Sequence, residues 1–261
     1  MMFKLKPKLL LGAASAATQI EGGELNHSWN DWYSREKIKD GTDPARANEH
    51  YDRWLEDAHI MASMGLKIYR FGIEWARLCP TEDTVDETVV AHYREEISYL
   101  KEKGISLLLT IHHFTNPMWF EKKGGFTKAE NNRYYLELVA LVVRSFGDLI
   151  SEYITINEPN VYATQSYFFG DWPPGEKSMN QTMEVMTNMA ACHIQAYEMI
   201  HKMRKDMGYK DTKVSFANHL RVFDPANPKN PYHKICAKLT HYLFQDAITK
   251  AMCLGQFKWP L

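Results

Sequence analysis

The residue in this sequence most suited to chemistry is a carboxylate that closes a short β-branched run. Tyr153-Ile154-Thr155-Ile156-Asn157-Glu158-Pro159 reads as a buried strand that carries an amide and a carboxyl out of its C-terminal end. In a parallel β/α architecture ligands sit at that end, because the loops leaving the strands enclose a pocket there. Glu158 is therefore a candidate proton donor. Aromatic walls around it would raise its pKa toward neutrality and suit it to general acid catalysis. The competing reading is a plain turn, in which Pro159 halts the ladder and Glu158 is solvated.

Other polar residues stand at similar junctions. Gln19 and Glu21 follow a first apolar run, Arg70 lies in a second, His112-His113 closes a third and Asn218-His219 a fifth. Glu74 also lies just past a strand, where it is either a second reactive carboxyl or the partner of a neighbouring Arg or Lys. A zinc reading of His112 and His113 fails for want of convergent ligands.

These residues need elements to hold them, and the apolar pattern supplies a series. Leu9 to Ala13 reads as a buried strand, and Tyr51, Trp54, Leu55, Ala58, Met61 and Ala62 mark a helix over Glu49 to Met64 that Gly65 caps. Leu66 to Phe71 is the second strand, Val89 to Leu100 a helix, and Ser106 to Ile111 the third strand. A helix from about Lys128 to Phe146 leads to the Glu158 strand. A Met-rich helix over roughly Asn180 to Met207 buries Met183, Met186, Ala190, Ile194, Tyr197 and Ile200, methionines better read as core filling than as a cofactor box. Val214 to Ala217 is a fifth strand, and a last helix covers roughly His233 to Leu254.

Strand and helix alternate five times, which argues a parallel sheet with right-handed crossovers and outer helices. The units are spaced about 50 residues apart, so a length that could hold a closed eight-stranded barrel, about 250 residues, here holds five strands. The expected fold is thus α/β, a TIM (β/α)8-barrel type that is incomplete, forming a single partial domain over residues 1–261. Such an open sheet exposes edge strands and an apolar face, and self-association or complementation through those edges is the expected consequence.

Composition excludes several classes. With 45% hydrophobic and 24% charged residues the chain is globular, and 31 Lys and Arg against 32 Asp and Glu imply neither nucleic acid nor an anionic membrane as partner. No apolar run approaches the roughly 18 residues of a membrane span. Cys79, Cys192, Cys236 and Cys253 lack metal-ligand spacing, so a reduced, cytoplasmic protein without metal or cofactor is expected. Lys4, Lys6 and Lys8 before Leu9 to Ala17 imitate a signal peptide, although the apolar part is very short. Aromatics at 13%, including seven Trp, supply core packing or surfaces on which sugar rings stack.

With these motifs in view the chain resembles the N-terminal part of glycoside hydrolase family 1, the β-glucosidase and 6-phospho-β-glucosidase family of retaining enzymes. Four segments carry the likeness in order: Leu10 to Gly22, Tyr69 to Leu78, His112 to Pro117, and Thr155 to Pro159. The resemblance implies that Gln19 and His113 grip the glycone and that Asn157 bonds the sugar 2-hydroxyl. It further implies that Glu158 is the general acid/base, that Arg70 holds the nucleophilic carboxylate ionised, and that Asn218 lines the pocket. The implied ligand is a β-linked glucoside or related sugar. By the same likeness Leu9 to Ala13 becomes barrel strand one rather than a signal, and His112 is structural.

The departures bear on mechanism. Leu11 stands where the family usually has Trp, and Phe114-Thr115-Asn116 where it often has Trp-Asp-Leu. The family's nucleophile lies in a Thr-Glu-Asn-Gly type motif on strand seven, and no such motif occurs in this sequence. Retention requires two carboxyls about 5–5.5 Å apart, one protonated and one ionised. The chain is therefore expected to carry the acid/base of a retaining β-glycosidase without its nucleophile. The alternative is a non-catalytic half-barrel that binds sugar or self-associates.

Overall fold

A computed structural model describes residues 9–257, so Lys4, Lys6 and Lys8 of the signal-like segment lie outside the described residues. From the start of the description the elements are β1 (Gly12–Ala14), α1 (Ala17–Ile20), α2 (Ser28–Ser34), α3 (His50–Ser63), β2 (Ile68–Gly72), α4 (Trp75–Leu78), α5 (Glu87–Glu102) and β3 (Ser106–His112). There follow α6 (Met118–Lys122), α7 (Asn132–Phe146), β4 (Glu152–Asn157), α8 (Pro159–Ala163), α9 (Met179–Asp206), β5 (Lys213–Ala217), α10 (Pro231–His241) and α11 (Ala247–Leu254). No described helix is long and apolar enough to cross a membrane.

The five strands form one sheet in the order β1-β2-β3-β4-β5, and every neighbouring pair is parallel. This is the sequential parallel winding of a TIM-barrel-type wall, as expected. Strands β2, β3 and β4 are the buried centre. Leu107, Leu109, Ile111, Tyr153 and Ile156 pack between the sheet and α5, α7 and α9, which is why these strands read as near-continuous apolar runs. Helix ends follow local chemistry. Asp86 caps α5 by accepting from the backbone N–H of Thr88 and Val89, and Gly65 and Gly104 close α3 and α5 at positive φ, where a Cβ would be strained.

Three expectations need correction. The first strand is Gly12–Ala14 and is exposed rather than buried, with Leu9, Leu10 and Leu11 about half exposed beside it, because only β2 pairs with it among the described residues. The last helix is α10 and α11 joined by a π-helical segment, Tyr242–Asp246, and α10 buries no residue at all. On α9 the buried face is rotated from the expected stripe. Met186, Ala190 and Ile200 are buried, but Tyr197 is exposed, and polar Thr182, Asn188 and His193 face inward where the chain offers them partners.

A polar clamp joins the outer helices. His50, buried at the start of α3, places Nδ1 2.6 Å from Asp57 and Nε2 3.1 Å from Glu96 of α5. Burial lowers its pKa, but the two carboxylates outweigh that and raise it to about 9. The unfolded chain releases this proton near 6.5 and the folded chain only near 9, so the stabilisation is complete below pH 6.5 and is lost as pH climbs through 9. Denaturant unfolding should show stability falling by on the order of 3 kcal/mol between pH 6.5 and 9. The slope should largely vanish in His50→Gln; an equal slope in the variant would refute the clamp.

Candidate active site

The C-terminal ends of β2, β3 and β4 meet on Arg70. Its Nε donates to Thr110 Oγ1 of β3 at 2.9 Å, and its Nη2 donates to Asn157 Oδ1 of β4. In the sheet Arg70 is level with Leu108 and Glu152, below Thr110 and Asn157, so its guanidinium reaches up toward the C-terminal ends of β3 and β4 to meet them. Burial lowers the Arg70 pKa, and the negative charge of Glu158 opposes that shift.

Glu158 leaves β4 in the left-handed region, at φ 43° and ψ 58°, immediately before Pro159 at the first position of α8. Such a conformation costs a non-glycine residue roughly 1–2 kcal/mol and persists where surrounding bonds impose it. Here the Glu158 N–H donates to Ala217 O of β5 at 2.6 Å, which carries the strand's last bond across a register shift between Ile154 and Asn157. The twist turns the carboxyl toward β5. Its Oε1 lies 3.2 Å from His219 Nδ1, and the side chain is 31% exposed.

His113 follows β3 and stands before Phe114, which is also left-handed at φ 69°. Burial, then the charge of Arg70, pushes the His113 pKa down to about 3, so the imidazole is neutral at any working pH. Its Nδ1 is buried with no hydrogen-bond partner among the described residues. Gln19, on the single turn α1 rather than in an open loop, is exposed and shares with His113 a cavity of about 390 Å³. The aromatic walls expected around Glu158 are here instead: Trp29, Phe114 and Trp172 line this cavity, with Phe114 and Trp172 ring centroids 4.9 Å apart.

The site thus has two parts. Gln19 and His113 face the aromatic cavity, whose lining does not include Glu158, Asn157, Arg70 or Asn218. Arg70 stands between the parts, since its charge acts on both His113 and Glu158. Asn218 does not join the Arg70 group by a hydrogen bond. Its Nδ2 donates to Thr249 of α11 at 2.7 Å, and its Oδ1 is buried without a partner among the described residues.

The other carboxyls near the strand ends serve the scaffold. Glu74 does not pair with Arg or Lys, as one reading expected; it caps α4, accepting from Ala76 N at 3.3 Å and from Thr18 Oγ1 at 2.8 Å. Burial raises its pKa to about 7 against those bonds. The cation nearby, Arg77, is spent on Glu21 at 3.2 Å, to which Tyr93 also donates. Asn116 organises the turn after β3: it accepts from His112 Nε2 at 3.0 Å and donates to Glu121 at 2.6 Å and to Tyr162 at 2.8 Å. His112 is therefore structural, as expected. No group of three or more His, Cys, Asp or Glu among the described residues is placed to hold a metal ion.

Sequence reasoning missed Asn116, Trp172 and His219. Asn116 stood in plain view as a departure inside a motif. The aromatic surplus was the only trace of Trp172, and His219 was visible beside Asn218 without a hint of its partner.

A sequential parallel sheet with a carboxyl, an arginine and an amide gathered at its C-terminal edge defines a TIM-barrel-type α/β protein with an enzyme-like strand-end site. More particularly, the chain belongs to glycosyl hydrolase family 1, whose model matches residues 2–259. It is 31% identical over 234 residues to beta-glucosidase A of Thermotoga maritima, an alignment covering 87% of this chain and 51% of that protein. It is 35% identical over 181 residues to a probable inactive beta-glucosidase 14 of Oryza sativa subsp. japonica, covering 66% of this chain and 35% of the other. Among solved structures, a beta-glucosidase from Thermotoga maritima in complex with glucoimidazole superposes with a TM-score of 0.91 at 27% identity, covering 98% of this chain and 58% of that one. A beta-glycosidase from Pyrococcus horikoshii does so at 0.86 and 32%, covering 99% and 58%. The chain spans about half the length of the curated bacterial relatives it matches.

Proposed function

We propose that this chain carries the sugar-gripping and proton-transfer part of a retaining β-glycosidase site, acting on a β-linked glucoside or related sugar. The observation that carries the reading is Arg70, which ties Asn157 by a hydrogen bond and Glu158 by charge to the level of the His113 cavity. Gln19 and the neutral His113 hold glycone hydroxyls. Arg70 occupies the Oδ1 of Asn157, so its NH2 is the end that meets the 2-hydroxyl. Asn218 lines the β5 side of the site, its Nδ2 held by Thr249 of α11. Glu158, only partly exposed and at the strand end, protonates the leaving oxygen and then takes a proton from the incoming water. Relatives named as beta-glucosidases support the substrate class.

The attacking carboxylate is assigned to none of the described residues, because Glu74 is buried and spent on its cap. Arg70, already turned to the site, is the cation that would keep such a carboxylate ionised. Hydrolysis of an aryl β-glucoside should fall by about 10²–10⁴-fold in Glu158→Gln. Equal rates in the two proteins would overturn the acid/base role.

A second reading, a non-catalytic half-barrel that associates through its open face, is favoured by α10. Tyr232, Ile235 and Leu239, with Leu243 beyond, recur at helical spacing, and all are exposed, as are Leu9, Leu10 and Leu11 beside β1. On this reading wild type binds a glucose-configured inhibitor without turnover, and its elution volume in size-exclusion chromatography falls as concentration rises. A monomer at every concentration would exclude the association.

A further inference from the structure

His219 is the one described side chain bonded to the Glu158 carboxyl, and its own surroundings fix how that bond is made. Arg221 Nε lies 2.9 Å from His219 Nε2. A guanidinium can only donate, so Nε2 must be the bare nitrogen of a neutral ring. The ring proton then sits on Nδ1, 3.2 Å from Glu158 Oε1, and is donated to it. This is the less common tautomer chosen by a specific neighbour.

The backbone beneath is pinned as well. Asn160, fully buried in α8 two residues after Glu158, donates Nδ2 to His219 O at 2.8 Å and accepts from His219 N at 3.4 Å. The Arg221 N–H in turn donates to Gln245 Oε1 at 2.8 Å, and its guanidinium lies over the Phe244 ring, whose face or edge also meets the His219 ring at 89°. Nothing about a mere surface loop requires this much agreement between α8, the β5 exit and the segment before α11.

We propose that His219 is a positioning residue for Glu158, with Arg221 setting its tautomer. The inference rests on the acid/base reading of Glu158 and adds to it an assignment of the two carboxyl oxygens. Oε1 accepts from His219 in both protonation states. The transferable proton is confined to Oε2, the oxygen left free to face a leaving group.

The full chain labelled with ¹⁵N-histidine tests this by side-chain nitrogen shifts, with His219 assigned from the signals missing in His219→Asn. The expected pattern for wild type is the Nδ1–H tautomer, converting toward Nε2–H in Arg221→Ala and losing its Nδ1–H hydrogen-bond shift in Glu158→Gln. An Nε2–H tautomer in wild type, or signals blind to Glu158→Gln, overturns the proposal. Hydrolysis of paired aryl β-glucosides supplies the functional readout. His219→Ala should lose about tenfold in kcat/KM on a poor leaving group and little on an activated one, and His219→Asn, whose Nδ2 takes the place of Nδ1, should restore most of it. Equal losses on both substrates overturn it. Wild type inert on both, with the nitrogen pattern as expected, refutes turnover through Glu158 by this chain acting alone, in which no described residue is assigned as nucleophile, while the hydrogen-bond assignment stands.

Discussion

The guanidinium of Arg70 is the charge on which the ends of three strands depend. Half-buried, it would be costly alone, and the chain compensates by giving it a hydroxyl from β3, an amide oxygen from β4 and a carboxylate beyond it. Each compensation is also a placement. Thr110 anchors the guanidinium on β3, Asn157 is turned with its NH2 away from the arginine, and the charge of Glu158 acts on it while the Glu158 carboxyl itself bonds His219. Burial, reinforced by the same charge, keeps His113 neutral, so the imidazole offers one donor and one acceptor, which suits hydroxyl groups better than an imidazolium would. One charge therefore acts on both Glu158 and the His113 that lines the aromatic cavity, although Glu158 does not line it.

The backbone answers that electrostatic centre with local strain. Phe114 and Glu158 both sit left-handed directly after His113 and Asn157. Neither is glycine, and each is held by bonds further along the chain: Glu158 by Ala217 and His219, and the turn after Phe114 by Asn116 with Glu121 and Tyr162. Strain of this kind at strand ends, over-determined by neighbours, fits side chains that must point where an ordinary loop would not send them.

Much of the wall was legible from the residues alone. Ser106 to Ile111 and Tyr153 to Asn157 are apolar or β-branched runs with helices at a regular distance, and the structure finds β3 and β4 there within a residue. Where the reading failed, a partner distant in sequence decided. The first run of leucines looked buried, but its burial depends on neighbours, and among the described residues β1 has one. Glu74 looked like the partner of a cation, but Arg77 is committed to Glu21, and the local turn offered Ala76 N instead. His219 stands beside a residue already singled out, yet its bond to Glu158 spans 61 positions and follows from the β4–β5 register, which no local pattern encodes. Left-handed φ at Phe114 and Glu158 has no signature in residue type.

The central claim is that a sugar held by Gln19 and His113 presents its glycosidic atom to Glu158 across Arg70. A crystal structure with a glucose-configured imidazole inhibitor measures this directly. The account predicts the sugar ring against Gln19 and His113, the 2-hydroxyl on Asn157, and the glycosidic-site nitrogen about 3 Å from Glu158 Oε2. An inhibitor lodged among Trp29, Phe114 and Trp172 with no atom approaching Glu158 would contradict it.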